Sequence, residues 1–224
     1  MTMGKCLSIN LSEELHKAVK LRKNLTCRIL ITLGADINAK DENGRTPLLV
    51  MASEAKGDQD VAMFKMLAEY GADLEAMDGS GDTALLLLFS GLDKPKTIKC
   101  LCEHGANVNA INKCRNSTTR GMSPAMILAR EGYANILKII IEHGADLTLR
   151  TPIANETALM FALKPDGYDA KTDIVQMLCE NGANLNDSNW KGRTALEYAR
   201  WNLDLVEILI NNGLNLSLQG ALKI

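Results

Sequence analysis

The sequence has few aromatic side chains and no long apolar run. Nine of its 224 residues are Phe, Trp or Tyr, which is too few for a platform that stacks bases or sugars. No stretch approaches the ~20 apolar residues of a membrane-spanning helix, and the charged N-terminus lacks the apolar segment of a signal peptide. We therefore expect a soluble protein whose core is built from Leu, Ile, Ala, Met and Val.

A strong net charge and a disulfide framework are also missing. The 25 basic and 27 acidic residues leave a formal net charge of −2, which gives no general attraction to nucleic acid or to an anionic membrane. The six cysteines form no CxxC pair and show no spacing typical of a disulfide-bonded scaffold. We expect a reducing, cytoplasmic location.

Internal repetition dominates what is present. Gly-Ala-Asp or Gly-Ala-Asn occurs five times, with a weaker sixth copy at Gly213, at steps of 37, 34, 39, 38 and 31 residues. The five copies begin at Gly34, Gly71, Gly105, Gly144 and Gly182. A second marker, Thr or Ser followed by Pro or Ala, begins at Thr46, Thr83, Ser123, Thr157 and Thr194. Periods in this range predict a stack of similar structural units.

Each unit predicts two helices and a turn. The Thr or Ser hydroxyl is suited to cap a first helix. Apolar residues at helical spacing, such as Val61, Phe64 and Leu67, indicate a second one. The Gly then ends the second helix in a left-handed conformation, and about a dozen polar residues follow, as expected for a tight hairpin.

These residues resemble the ankyrin repeat. The resemblance rests on Asp-x-x-Gly-x-Thr-Pro-Leu at residues 41–48, Ile-Val-x-x-Leu at 174–178 and Gly-Ala-Asp-x-Asn-Ala at 34–39, all of which recur in register. It implies an all-α fold, an ankyrin-repeat α-solenoid with short β-hairpin fingers between helix pairs, as one domain over residues 1–224. The implied parts are an N-terminal capping unit at 11–40 and repeats at 41–77, 78–111, 112–150, 151–188 and 189–218.

Several features depart from the family's pattern. The family usually has His three positions after the Thr, and here those positions hold Leu49, Leu86, Met126, Met160 and Glu197, which is expected to weaken each unit. Residues 11–33 lack the Thr-Pro marker, so we expect a capping unit with a polar outer helix that carries Glu13, Glu14 and Lys17.

Insertions mark the places where the repeats differ in length. Repeats one and four have extra residues between their helices, in SEAKGDQD and KPDGYDAK. The hairpin before repeat three, residues 111–121, is longer than the others and holds Lys113, Arg115 and Arg120 without an acidic residue. Long loops are often functional, so this finger is a candidate partner contact, with neutral drift as the alternative.

The residues that could support chemistry are few. No nucleophile elbow, phosphate-binding Gly loop or HExxH motif occurs. A metal could be considered at Cys100, Cys102, His104 and Cys114. However, Cys100 and Cys102 occupy core positions of a second helix, and residues two apart on a helix point in different directions. We therefore expect no enzyme activity, no metal and no cofactor.

What remains is a binding surface. The resemblance implies that hairpin tips and the exposed ends of first helices form a concave face for a partner protein. Arg and Trp most often dominate the binding energy of interfaces. The candidate partner-binding residues are Trp190, Lys191, Arg193, Trp201, Arg120, Met122, Arg115, Arg45 and Asn43. An alternative for Trp201 is that it covers the open end of the stack, because repeat five is two residues short.

We accordingly expect a non-catalytic protein–protein interaction module or scaffold that binds neither nucleic acid nor membrane. The alternative is a regulatory inhibitor, or a secreted effector acting in a host cytosol, that uses the same surface. We expect a monomer. The last segment has no polar capping helix, so Leu205, Ile208 and Leu209 are expected to be poorly covered, and that end to fray or self-associate.

Overall fold

The computed structural model describes residues 10–89, 91, 94–113, 118–164 and 171–215, and these residues contain twelve α-helices. The chain divides into two compact units, Met1–Asn107 and Val108–Ile224. The first unit contains α1 (Leu11–Lys20), α2 (Asn24–Thr32), α3 (Pro47–Glu54), α4 (Val61–Glu69), α5 (Ala84–Leu88) and α6 (Pro95–Glu103). The second contains α7 (Pro124–Glu131), α8 (Ala134–Glu142), α9 (Ala158–Leu163), α10 (Thr172–Glu180), α11 (Ala195–Ala199) and α12 (Leu203–Asn211). None of the helices in these ranges is long and apolar enough to cross a bilayer.

The helices form two rows within each unit. In the first unit, α1, α3 and α5 pack side by side, and α2, α4 and α6 form the second row. In the second unit, α7, α9 and α11 form one row and α8, α10 and α12 the other. This all-α stacking confirms the predicted architecture. The connecting hairpins that the structure describes in full are tight turns, and the described part of the chain contains two isolated β-bridges, Met77–Thr83 and Ser188–Thr194, rather than strands.

Hydroxyl side chains begin four of the first-row helices, as the Thr/Ser marker predicts. The oxygens of Thr46, Thr83, Ser123 and Thr157 each accept a hydrogen bond from the backbone N–H three residues later. Each bond satisfies one of the N–H groups that the first turn of a helix leaves without a partner. Thr194 makes no such bond to α11, so repeat five begins without this cap.

The second-row helices all end at a glycine turn, and one of them, α6, is capped at its N-terminus by a residue of the preceding repeat. Gly34 ends α2 with φ of +98°, and the same left-handed glycine turn follows every other second-row helix. Among the described second-row helices, only α12 donates a backbone hydrogen bond to the side chain of its own N-cap residue, from the Leu205 N–H to Asn202 Oδ1 at 3.2 Å. The N-terminus of α6 is capped instead by Asp58, whose Oδ1 accepts from the Thr97 N–H at 2.9 Å and from the Thr97 hydroxyl at 3.3 Å. Asp58 lies in the insertion of repeat one, so part of this insertion stabilises the next repeat.

An ion pair joins the capping unit to the same insertion. Arg22 Nε lies 2.7 Å from Asp60 Oδ1, and Arg22 Nη2 donates to Asp60 Oδ2 at 3.3 Å and to the Glu54 carbonyl oxygen at 3.0 Å. The Asp60 side chain is only 3% exposed, whereas that of Arg22 is 36% exposed. The carboxylate is therefore buried, and the guanidinium compensates its charge.

Asparagine side chains connect successive hairpins. Asn38 Nδ2 donates to the Gly71 carbonyl oxygen at 3.3 Å, and Asn38 Oδ1 accepts from the Asp73 N–H at 2.8 Å. Asn109 makes the equivalent pair of bonds to Gly144 and Asp146, at 3.1 and 2.8 Å. Each amide side chain thus fixes the spacing between two neighbouring repeats.

The capping unit has a polar face on α1 and an apolar face on α2. Lys17 of α1 pairs with Glu13 and Glu14 at 2.8 and 3.0 Å, as a solvated helix face should. However, α2 and its flanking turns expose four large aliphatic side chains that no other described residue covers. These are Leu21, Leu25, Ile29 and Leu33.

The expectation that the last helix is poorly covered is wrong for two of its three residues. Leu205 and Leu209 are buried, because α12 packs against α10 and α11, while Ile208 is partly covered. The large exposed apolar side chains of α12 are instead Leu203 and Ile210. Residues 216–224, on which the prediction of fraying also rested, lie outside the described residues.

Candidate functional site

The hairpin that precedes α9 is one residue longer than the standard turn of this chain. The standard turn is closed by a hydrogen bond between residues four apart, as in the hairpin before α11, where the Asn189 N–H donates to the Arg193 carbonyl. In the hairpin before α9 the closing bond spans five residues, from the Thr151 N–H to the Glu156 carbonyl at 3.0 Å. Asn155 takes the left-handed conformation, with φ of +55°, that glycine takes in the other turns. The extra residue leaves Ile153 at the tip, where it is 88% exposed. A large aliphatic side chain is therefore held in water by a closed turn.

A cleft of about 530 Å³ separates this hairpin from the long finger that precedes α7. Lys113 and Arg120 of the finger line one side, Ile153 lies on the other, and Met122 and Phe161 contribute apolar surface. The two hairpins approach closely at Gly121, where an added Cβ would lie 2.8 Å from Cδ of Pro152. This close approach fixes the width of the cleft at its base.

A second cleft of about 390 Å³ lies on the other side of the same hairpin. Trp190, Lys191 and Arg193 of the next hairpin line it, together with Glu156, Lys164, Asn189 and Tyr198. Trp190 is 65% exposed, and Lys191 Nζ lies 4.9 Å from the centroid of its ring. A cation at this distance is attracted to the face of the indole and orients it.

Glu156 is the only carboxylate among the described residues that line the two clefts, and it is already bound within the protein. Lys164 Nζ lies 2.8 Å from Glu156 Oε2, and the Tyr198 hydroxyl donates to Glu156 Oε1 at 3.0 Å. Asn189 Nδ2 in turn donates to the Tyr198 oxygen at 3.0 Å. Burial, and next the neighbouring carboxylate of Glu156, raise the pKa of Tyr198, so its hydroxyl remains a proton donor near neutral pH.

Hydrogen bonds hold the two hairpins that flank the second cleft in a fixed relation. The Trp190 N–H donates to the Ala154 carbonyl at 3.1 Å, and Asn155 Nδ2 donates to the Ser188 carbonyl at 3.1 Å. Arg150 adds an ion pair with the buried carboxylate of Asp187. The tip surface, defined here as the residues lining the two clefts, is therefore pre-organised on its C-terminal side.

The tip surface is strongly basic. Among the described residues, its lining contains five cationic side chains and one carboxylate, which leaves four net positive charges. The cations are Lys113, Arg120, Lys164, Lys191 and Arg193. All except Lys164, which pairs with Glu156, are exposed and have no ion-pair partner in the part of the chain that the structure describes.

The structure brings together five of the nine residues predicted to contact a partner, four of them exposed. Trp190, Lys191 and Arg193 line the second cleft, and Arg120 lines the first. Met122 also borders the first cleft, but the prediction that it is an exposed tip residue is wrong, since it is only 2% exposed. The Met122 N–H donates to the Thr119 carbonyl at 2.9 Å, and this turn draws its side chain inward. Arg115 lies outside the described residues.

The remaining predicted residues lie elsewhere. Asn43 lines a separate cleft of about 440 Å³ beside α1 in the first unit. Arg45 is bound within its own hairpin, with Nη2 at 3.1 Å from Asp41 Oδ2. Trp201 lies at the far end of α11 from the hairpin, is 86% exposed, and has the Arg200 guanidinium 4.9 Å from its ring centroid. An indole this exposed covers little of the described end of the stack, contrary to the alternative interpretation.

The candidate partner-binding residues did not include Tyr198, or Ile153, although the spacing of the repeats places Ile153 at a hairpin tip. The spacing gave a signal for Ile153, because the hairpin before repeat four has one residue more than the standard length and Asn155 in place of Gly. Tyr198 gave no such signal. Its role depends on Glu156, which is 42 positions away in sequence.

The cysteine and histidine cluster shows the features of a core. Cys100 and Cys102 are buried, and burial raises the pKa of Cys102 to about 12. His104 Nδ1 lies 2.8 Å from the Cys100 carbonyl oxygen. No group of three or more His, Cys, Asp or Glu side chains suited to a metal occurs among the described residues, and Cys114 falls outside them.

Comparisons with known proteins agree with this architecture. A family profile described as "Ankyrin repeats (3 copies)" matches residues 15–112, 55–151, 95–189 and 125–219. The "Putative ankyrin repeat protein L86" of Acanthamoeba polyphaga mimivirus is 37% identical over 87 residues, which are 37% of this chain and 15% of that protein. The chain spans a fifth or less of the length of the curated relatives it matches.

Two solved structures are also similar. An ankyrin repeat domain from Acinetobacter baumannii AYE superimposes with a TM-score of 0.77 and 25% identity, covering 89% of this chain and 97% of that one. A chain in the crystal structure of the Bd0816 predatory endopeptidase from Bdellovibrio bacteriovorus in complex with immunity protein Bd3460 has a TM-score of 0.65 and 25% identity. That match covers 88% of this chain and 96% of the other.

Proposed function

The chain belongs to the ankyrin-repeat family, and we propose that it is a binding module that docks a partner protein on the tip surface of its second unit. Ankyrin repeats are generic protein–protein interaction modules. One observation carries the proposal for this surface. Two large apolar side chains, Ile153 and Trp190, are held in water beside closed hairpins whose backbones are hydrogen-bonded to each other.

Exposed apolar side chains of this size favour an interface. Burial of apolar surface contributes ~25 cal/mol per Å², and an indole provides one of the largest areas of any side chain. A rigid surface also loses little conformational freedom on binding, which reduces the entropic cost of association. The hydrogen bonds that close the two hairpins join backbone atoms, so the turns do not require a large apolar side chain at either position.

Binding without catalysis is the activity that this site supports best. General acid–base chemistry requires a titratable group free to exchange a proton with a substrate. The carboxylate of the tip surface is occupied by Lys164 and Tyr198. The other lining charges are cations, which are suited to recognition.

The test compares two exposed tryptophans. Wild-type protein, Trp190→Ala and Trp201→Ala would each be used for quantitative affinity capture from the source cell. The captured amount of any protein that binds the tip surface should fall about tenfold or more with Trp190→Ala, as expected for a loss of ~1.4 kcal/mol or more of binding free energy. They should be retained by Trp201→Ala, and the melting temperature should be the same for both variants. Equal loss with the two variants, or no loss with Trp190→Ala, would contradict the assignment.

A second candidate is a regulatory inhibitor or effector that blocks an enzyme by the same docking. The similarity to a chain in a structure of an endopeptidase with an immunity protein favours it. Activity assays of each captured enzyme with and without the purified protein separate the two candidates. A scaffold leaves turnover unchanged, whereas an inhibitor lowers it in a manner that depends on Trp190.

A further inference from the structure

The tip surface combines exposed cations with exposed apolar side chains, and this combination favours a partner of matching chemistry. Lys113, Arg120, Lys191 and Arg193 are exposed and have no carboxylate partner among the described residues. They surround Ile153 and Trp190, the two exposed apolar side chains. From this arrangement we propose that the surface binds an acidic peptide segment that also carries bulky apolar side chains. This inference rests on the proposed function and specifies the chemistry of the partner.

The charges carry the first step. The chain as a whole has a formal net charge of −2, whereas the described residues that line the two clefts have four net positive charges. The positive charge is therefore concentrated locally. Like charges gathered on one surface repel each other, and acidic groups of a partner relieve that repulsion while steering its approach.

The buried carboxylate carries the second step. Glu156 lies between the two clefts and would repel an acidic partner if its charge were exposed. Lys164 and Tyr198 both bind it, at 2.8 and 3.0 Å, and it is only 8% exposed. The carboxylate is thus withdrawn from the surface, and the four exposed cations determine the local charge that a partner meets.

The apolar residues carry the third step, because they separate a peptide from a nucleic acid. The phosphate groups of a nucleic acid would pair with the cations but would not cover the apolar side chains. Ile153 offers no planar face for a base, and the surface has a single exposed indole in place of the successive aromatic rings that stack single strands. An apolar side chain of a peptide, flanked by carboxylates, would cover Ile153 and Trp190 and pair with the cations together.

The experiment uses a randomised peptide display library on the full chain. Peptides selected by the wild-type protein would be sequenced, synthesised and measured by fluorescence anisotropy. We expect the selected pool to be net negative and enriched in Leu, Ile, Phe and Trp. Affinity should fall about tenfold or more between ~0.05 M and ~0.5 M NaCl. A Lys191→Glu, Arg193→Glu double variant should bind the same peptides at least about tenfold more weakly.

Matched variants separate the possible failures. Lys138→Glu reverses an exposed charge on α8, away from the tip surface, and should leave peptide affinity within about twofold. Neutral or basic selected peptides that still require Trp190 would overturn the acidic partner and keep the binding surface. Selected peptides that bind Trp190→Ala unchanged, or the absence of any selected peptide, would overturn both proposals. A single-stranded DNA oligonucleotide that displaces the selected peptides and binds more tightly would overturn the inference in favour of a nucleic acid.

Discussion

The ion pair between Arg22 and Asp60 provides a direct test of how the capping unit is held. Replacing Arg22 with Met keeps an unbranched apolar stem and removes the guanidinium. The Asp60 carboxylate, with a side chain only 3% exposed, then remains buried without its charge partner. Both residues at position 22 are non-glycine, so the left-handed backbone at this position, with φ of +56°, is strained to a similar extent in the two proteins.

The size of the effect follows from burial. Breaking a fully buried ion pair costs ~3–5 kcal/mol. The Arg22 side chain is 36% exposed, so water reaches the vacated position and solvates the carboxylate in part. The cost should therefore approach that of an unsatisfied buried acceptor, ~1–3 kcal/mol. Arg28→Met makes the same chemical change at an exposed position of α2, and should cost less than ~0.5 kcal/mol.

Urea unfolding followed by circular dichroism gives the free energies, and amide exchange of α2 and α4 localises the loss. Localisation matters because repeat arrays can unfold in parts. An Asp60→Asn background supplies the double-mutant cycle, in which Arg22→Met should cost ~1 kcal/mol less than in the wild type. If Arg22→Met and Arg28→Met lowered the unfolding free energy equally, the ion pair would have no role in holding the cap.

Three further predictions concern the hairpins. Gly121→Ala should lower the unfolding free energy by ~1 kcal/mol more than Gly182→Ala, because both have positive φ but only the first would place a Cβ 2.8 Å from a proline ring; equal thermal shifts would refute the steric argument. Burial opposes the ionisation of Asp41, yet backbone N–H groups and the guanidinium of Arg45 lower its pKa on balance. The ionised carboxylate should therefore stabilise the fold above its unfolded pKa of about 3.9. That contribution should be lost as the pH falls through the lower pKa of the folded state. Asp41→Asn should therefore flatten the dependence of the urea midpoint on pH below about 4, and an unchanged slope would count against it. Asn38→Ala should cost ~1 kcal/mol and speed exchange of the Asp73 amide, with unchanged exchange showing that the bond does not hold the repeats together.

The sequence was sufficient to predict the stacked helix pairs because their signals are local. The hydroxyl at Thr46 and the glycine at Gly34 act within one turn of the chain, and both recur at a regular period. The exposed Trp190 and the cations beside it could likewise be placed, since their positions in a short hairpin follow from the spacing.

Features that depend on distant residues could not be predicted in this way. Met122 is buried because the long finger closes an additional turn before it, and nothing in its immediate sequence reports that closure. The interaction between Tyr198 and Glu156 joins positions 42 residues apart. The apolar surface of α2 was missed because the prediction considered the polar residues of α1 alone.

The cap that Asp58 supplies to α6 has a consequence for how this gene can change. The carboxylate accepts from Thr97, 39 residues later, so the cap of the second helix of one repeat is encoded within the repeat before it. Deleting the insertion of repeat one, or exchanging that repeat for one of standard length by recombination, would remove the cap from α6 while leaving its own codons intact. Repeats one and two are therefore expected to be inherited and lost together, as one evolutionary segment.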